Sequence, residues 1–190
     1  MKKVVGGFAF ISIVVLLAGC GKTLQGKLNA VTRTLDSAYA EGANTYLSLE
    51  YANLEDSVKA VITDIDLENT KWFKNPKPKK IRLDSIHQMA SQLKANIILK
   101  KIKAKREADS LIITLQTVIE ENEKLIEKAK TRNKGNSVFE QHRKEISLMD
   151  SSLMKDKFLF KKGLYLDVIN NVKVEKSMAR NINRKLKYKI

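Results

Sequence analysis

Apolar residues recur every three or four positions along most of this chain, which is the spacing of one face of an α-helix. A first stripe comprises Leu28, Val31, Leu35 and Ala38, and a second comprises Tyr51, Leu54, Val58, Val61 and Ile65. Gly42 fits a helix stop or a point of close helix contact, and Ser48 is a natural N-cap. The pattern therefore predicts helices over residues 28–42 and 48–69.

The third stripe is the longest and predicts a helix over residues 81–132. It comprises Leu83, Ile86, Ala90, Leu93, Ile97, Ala104, Ala108, Leu111, Leu115, Val118, Leu125 and Ala129. Lys100 and Asn122 interrupt it, and a second row widens it: Ile98, Ile102, Ile112, Ile119 and Ile126. Such a wide apolar face suits three-helix packing better than a bare two-stranded coil.

A fourth helix is predicted over residues 137–171. Ser137 and Glu140 have the spacing of a capping box, and the stripe follows through Phe139, His142, Ile146, Met149 and Leu153. We expect this helix to be broken near Gly163, and residues 172–190 to form a basic tail that frays at its end.

These elements predict an all-α fold, either an elongated antiparallel helical hairpin or a three- to four-helix bundle, with one very long helix. The segment before that helix breaks the pattern, because Pro76 and Pro78 disfavour helix at the residues that precede them. Trp72 and Phe73 lie among lysines in this segment. They fit an apolar plug that closes the end of the bundle, or an amphipathic tip that touches a membrane or a partner.

The first twenty residues have the pattern of a secretory signal. Lys2 and Lys3 precede an apolar run that ends in Leu17-Ala18-Gly19-Cys20. The run is too short to span a membrane, and its end resembles the lipobox of bacterial lipoproteins. The resemblance implies that residues 1–19 are removed, that Cys20 carries the lipid, and that residues 20–27 form a tether. It leaves no cysteine for a disulfide, since Cys20 is the only one.

A second resemblance covers residues 28–130. Ala38, Gly42, Ala43, Tyr46 and Glu50 match the A-x-x-x-G-A-x-x-Y-A-P-x-E pattern of a group of small helical envelope lipoproteins of unknown function. Leu47 and Ser48 stand where that pattern has Ala-Pro. The resemblance implies an antiparallel helical domain in the envelope and supplies no catalytic residue.

The charge is strongly basic, with 36 Lys and Arg against 21 Asp and Glu and a net charge of +15. In a cytosolic protein this charge would suggest nucleic acid, but the lipobox directs the chain outside the cytoplasm, so we expect anionic lipid headgroups or envelope polymer as partners instead. The candidate polyanion-binding residues are Lys77, Lys79, Lys80, Lys100, Lys101, Lys103, Lys105 and Arg106. In the alternative interpretation, the acidic second helix, from Glu55 to Glu68, lies opposite and partly offsets this charge.

Patterns of catalytic or metal-binding chemistry are missing from the sequence. His87 and His142, the only two histidines, have no metal-ligand spacing, and no glycine-rich phosphate loop occurs. A solvated helix face accounts for the neighbouring acids Asp64 and Asp66. The sequence therefore predicts no catalytic residue, no metal and no cofactor.

Together these features predict a non-enzymatic, lipid-anchored helical protein of the bacterial envelope with a structural or protein-interaction role. The alternative is a binding module for anionic envelope polymer or lipid headgroups. Gly21 follows the cysteine, where aspartate would favour inner-membrane retention, so we expect the periplasmic face of the outer membrane. The oligomeric state and the specific partner are left open.

Overall fold

A computed structural model of the protein describes residues 21–69, 75–132 and 137–189. Within these ranges the chain forms helices and short turns, with no strand, so the predicted all-α class is confirmed. The helices are α1 (Gly21–Ala40), α2 (Ala43–Tyr46), α3 (Ser48–Asn69), α4 (Lys77–Arg132), α5 (Ser137–Lys161) and α6 (Tyr165–Lys189). The one very long helix is also confirmed, since α4 has 56 residues.

The chain divides into two compact units, Met1–Ala95 and Asn96–Ile190. The first contains α1, α2, α3 and the part of α4 up to Ala95. The second contains α4 from Asn96 onward, with α5 and α6. In each unit, three long helical segments pack around a core of aliphatic side chains.

The first unit is joined at a tight corner between α1 and α3. Gly42 ends α1 there with a φ of 107°, which confirms it as the helix stop. Its carbonyl oxygen accepts hydrogen bonds from the backbone of Thr45 and Tyr46 and so starts α2. All five residues of the second predicted stripe, from Tyr51 to Ile65, are buried.

Side-chain bonds connect α1 and α3 to the first part of α4. Lys27 on α1 forms an ion pair with Asp84 on α4. From α3, Glu68 pairs with Lys79, and the distance from Asp64 Oδ2 to Arg82 Nη1 is 2.9 Å. The expected pairing of acidic α3 with basic α4 is therefore confirmed at the beginning of α4.

In the second unit, a glycine turn joins α5 and α6. Leu164 N–H donates to the Leu159 carbonyl and Gly163 N–H to the Phe160 carbonyl, with Gly163 at a φ of 79°. These two bonds and the positive φ form a Schellman motif, which satisfies the last carbonyls of α5. The expected break near Gly163 is confirmed.

Two predicted boundaries at the beginnings of helices were wrong. The tether predicted over residues 20–27 is helical from Gly21, and Leu24 is buried because it lies two turns before Val31 on the same face. Helix α4 begins at Lys77 rather than residue 81. Pro78 fits the first turn of a helix, where its missing N–H costs nothing, and Asn75 Oδ1 accepts the Lys77 N–H at 3.2 Å.

The predicted basic tail was also wrong. Residues 172–189 belong to α6, and the helix predicted over 137–171 is two helices. Within α6, a stripe with spacings of four, seven, three and four residues faces the core: Val168, Val172, Ala179, Ile182 and Leu186. The basic residues of the segment lie mostly on the exposed side, so they do not prevent packing.

Candidate functional site: a basic and apolar face on the longest helix

The predicted polyanion-binding residues fall into two groups along α4. In the first group, Lys79 is mostly buried and its charge is offset by Glu68. Lys77 is exposed and Lys80 is half-buried, both within the first turn of the helix. A shallow cleft beside them is lined by Leu67 and Pro78 together with the paired charges. This end of α4 therefore presents less unpaired positive charge than the sequence suggests.

The second group lies in the second unit and is mostly open to solvent. Lys100, Lys103, Lys105 and Arg106 are exposed, and Lys101 is half-buried. Within the described part of the chain, no acidic side chain pairs with Lys103, Lys105 or Arg106. These three cations are thus available to an external anion.

Three large apolar side chains are exposed in the same stretch. Ile98 is 39% exposed, Leu99 64% and Ile102 45%. The buried stripe here runs through Ile97 and Ala104. At 3.6 residues per turn, Leu99 and Ile102 lie about 160° and about 140° around the helix from Ile97. They therefore project from the side opposite the core.

The exposed cations surround these apolar side chains. Arg106 lies about 180° around the helix from Ile97, whereas Lys103 and Lys105 lie about 120° and about 80° from it, on opposite sides. We call this surface the basic–apolar face and define it by Ile98, Leu99, Ile102, Lys103, Lys105 and Arg106. The sequence predicted its cations, whereas Ile98 and Ile102 were expected to widen the packed face of the helix. Only Ile112, Ile119 and Ile126 of that row are buried.

The arrangement has a simple origin in the sequence. The buried stripe steps from Ile97 by seven positions to Ala104 and then by four to Ala108, so two small alanines face the core here. The large side chains of Ile98, Leu99 and Ile102 lie off this stripe, so they remain on the outer side of the helix. A helix surface that alternates isoleucine and leucine with lysine and arginine suits a partner with both apolar and anionic parts.

The two histidines have structural partners. His87 Nδ1 lies 3.3 Å from the Thr34 hydroxyl, between α1 and α4. His142 is buried on α5, and its Nδ1 lies 2.9 Å from Glu145 Oε2. The hydrogen bond from His142 lowers the pKa of Glu145. Each histidine thus joins neighbouring side chains rather than a ligand cluster.

A second cleft lies in the second unit, between α4 and α5, with a volume of about 390 Å³. Ile126 and Ile146 form its apolar part, and its rim carries both signs of charge. The polar lining residues are Glu123, Glu127, Arg143, Ser147 and Asp150. Among the described residues, no group of three or more acidic, histidine or cysteine side chains is placed to hold a metal ion.

Sequence reasoning missed two polar groups between helices of the second unit, one buried and one partly buried. One joins Asn122 of α4 to Asn183 of α6, with 2.8 Å between Asn183 Nδ2 and Asn122 Oδ1. The other lies between α5 and α6 and comprises Ser152, Asp156, Asn171 and Glu175. A signal for the second was present, since each helix contributes two polar residues spaced four apart, which places them on one face of the helix.

No protein-family model, curated protein or solved structure matches the chain. The resemblance of residues 28–130 to helical envelope lipoproteins therefore stays a prediction. Most of the residues that carry this resemblance lie close together in the structure. Ala38 and Ala43 are buried beside Gly42, and the ring of Tyr46 lies over that glycine. Glu50 is exposed.

Three sequence predictions fall outside the described residues: the signal over residues 1–19, the lipidation of Cys20, and the role of Trp72 and Phe73. In the part of the chain that is described, none of the helices is both long and apolar enough to cross a membrane.

Proposed function

We propose that this protein is a non-enzymatic, lipid-anchored helical protein of the bacterial envelope that acts through an exposed interaction surface. The basic–apolar face of α4 supports the interaction role, because three large apolar side chains there project into solvent. The sequence Leu17-Ala18-Gly19-Cys20 supports the anchor. Two or three acyl chains on Cys20 would hold the protein firmly to a bilayer, and the proposed location is the periplasmic face of the outer membrane.

The anchor is tested by replacing Cys20. A Cys20→Ser variant should incorporate no labelled fatty acid and should leave the membrane fraction, because no other residue accepts the lipid. A Cys20→Ala variant should behave in the same way. If the unaltered protein carries no acyl label and fractionates as a soluble protein, the proposed location is wrong.

A second candidate function is favoured by the composition of the same face: binding of anionic lipid headgroups. An anionic polymer would need the cations alone, whereas a bilayer surface takes cations at its headgroups and apolar side chains below them. Each Lys or Arg near an anionic surface contributes about 1 kcal/mol. Lys103, Lys105 and Arg106 together would therefore contribute about 3 kcal/mol, or roughly a 100-fold change in partitioning.

Vesicle binding tests this candidate with a chain that begins at Gly21, so that no lipid anchor contributes. Binding to phosphatidylglycerol vesicles should exceed binding to phosphatidylcholine vesicles and should weaken as salt increases. Reversing Lys103, Lys105 and Arg106 to Glu should remove most of it. A matched control reverses three exposed lysines elsewhere in the second unit, Lys124, Lys128 and Lys144, and should retain more binding.

A separate variant tests the apolar side chains of the basic–apolar face. Changing Ile98, Leu99 and Ile102 to Ser leaves the charge unaltered and should still weaken vesicle binding, since their burial stabilises the bound state. A polymer such as anionic polysaccharide should bind this variant normally. If the serine variant binds vesicles as tightly as the unaltered chain, the partner is a polyanion rather than a bilayer.

A further inference from the structure

Two carboxyl groups face each other between α5 and α6. Asp156 on α5 is only 1% exposed, and Glu175 on α6 is half-buried. One oxygen of each has partners: Asn171 Nδ2 donates to Asp156 Oδ1 at 2.8 Å, and the Ser152 hydroxyl donates to Glu175 Oε1. The other oxygens, Asp156 Oδ2 and Glu175 Oε2, are buried and have no donor among the described residues.

An arrangement of this kind is costly if both groups are ionised. A buried carboxylate without a compensating charge or donor is strongly destabilised, and two of them side by side also repel. When one group is protonated, it can donate a hydrogen bond to the other. Burial and the neighbouring Asp156 raise the pKa of Glu175, in the direction that this hydrogen bond requires.

Nearby cations do not remove the need for a proton. On α5, Lys157 is directed towards α4, where its Nζ donates to Gln116 Oε1 at 2.8 Å. On α6, Lys173 is also directed towards α4 and pairs with Glu107 at 2.7 Å. Neither lysine therefore offsets the two carboxyl groups.

Among the residues that the structure describes, the other charged side chains near the two carboxyl groups do not pair with them either. Lys155 is exposed and Lys176 is half-buried, and neither makes a described bond to Asp156 or Glu175. The other polar residues that α4 directs towards α6, Glu121 and Asn122, contact Asn183 instead. The carboxyl pair thus has two hydrogen-bond donors, Ser152 and Asn171, and no described cation.

We infer that Glu175 holds a proton that it donates towards Asp156, and that this proton makes the packing of α5 against α6 sensitive to pH. At low pH this proton joins the two helices. As the pH rises, the proton leaves, two negative charges face each other in the interface, and the hairpin loosens. The sensitivity lies in the α5–α6 contact and is independent of the function proposed for the basic–apolar face.

The sign follows from proton linkage. An acid whose pKa is raised in the folded state binds more protons folded than unfolded, so stability falls as pH rises above the ordinary value of 4.5. The loss ends once the pH exceeds the raised pKa. For each pH unit in this window, the equilibrium constant for opening the hairpin should increase by about tenfold.

The experiment is hydrogen exchange of the α5 and α6 amides in the full chain, corrected for the intrinsic effect of pH on exchange. Opening should become more frequent as pH rises from 4.5. The Glu175→Gln variant should lack this trend, because the amide stays neutral and can donate to Asp156 Oδ2. Asp156→Asn should act similarly, which guards against an effect peculiar to one variant.

Two further measurements make the outcome decisive. A carboxyl-carbon NMR titration should show one side chain that titrates above 4.5 and that is missing in Glu175→Gln. The control is Asp109→Asn, which removes an exposed carboxylate of α4 and should leave the pH trend intact. Titration of Glu175 at or below 4.5 would overturn the inference. So would a pH trend abolished by added Mg²⁺ or Ca²⁺, since a cation would then occupy the place of the proton.

Discussion

The buried amide of Asn122 offers a quantitative test of how α4 and α6 are held together. This side chain is fully buried; its Nδ2 donates to the Ala179 carbonyl at 2.9 Å, and its Oδ1 accepts from Asn183 Nδ2. Replacing Asn122 with Ala removes both bonds. It also leaves the Asn183 amide, which is 9% exposed, with only a long 3.5 Å contact to Glu121.

The expected loss can be worked out from these contacts. Each hydrogen bond contributes about 1 kcal/mol net, and a buried group left without its partner costs about 1–3 kcal/mol. We therefore expect Asn122→Ala to destabilise the second unit by about 2–3 kcal/mol. Since every 1.4 kcal/mol is a factor of ten, amides of α6 should exchange roughly 30-fold to 100-fold faster. Native-state hydrogen exchange measures this locally, without requiring the two units to unfold together.

Two further variants separate hydrogen bonding from packing. Asn122→Leu restores apolar contact but leaves Asn183 without its acceptor, so it should lose less stability than Asn122→Ala. Changing both Asn122 and Asn183 to Leu removes the polar partners together and should come close to the unaltered protein. If Asn122→Ala changes the exchange of α6 by less than threefold, the amide pair does not stabilise this contact.

Two other predictions concern the turns and the behaviour in acid. Gly42→Ala should cost more stability than Gly163→Ala: both sites have positive φ, but only at Gly42 would a Cβ approach another side chain, reaching 3.2 Å from Tyr46. Thermal unfolding of both variants would show whether the order is reversed. The lowered pKa of Glu145 means that its bond to His142 stabilises the fold above the ordinary value of 4.5 and is lost as pH falls through the lowered pKa. Glu145→Gln should therefore flatten the acid side of the stability profile, and an unchanged profile would contradict this.

The fold was predictable wherever apolar spacing and packing agree. Stripes such as Tyr51 to Ile65 needed only a partner helix, and Gly42 and Gly163 ended helices because each adopts a positive φ that a glycine tolerates. The last helix was missed because of its composition. Glu175 occupies the place in the stripe between Val172 and Ala179, and the surrounding lysines and arginines resemble a solvated tail.

The candidate site was predictable in its charge but not in its shape. Lys103, Lys105 and Arg106 were identified from the sequence alone, because a charged side chain can be exposed to solvent without a partner elsewhere in the protein. Which isoleucines would be buried depended on where other helices contact α4, and the periodicity alone does not fix that. Ile98 and Ile112 are equivalent in the pattern, two heptads apart, yet only Ile112 is buried. The carboxyl pair depended in the same way on the register of α5 against α6.

The glycine turn at Gly163 also has a consequence for the order in which the second unit assembles. Contacts between α5 and α6 close short loops, as between Asp156 and Asn171, which are 15 residues apart. The bond from Asn122 to Ala179 must close a loop of 57 residues. Loop closure at the longer separation costs about 1 kcal/mol more in chain entropy. The α5–α6 hairpin should therefore form early in folding and present a ready surface on which the end of α4 docks.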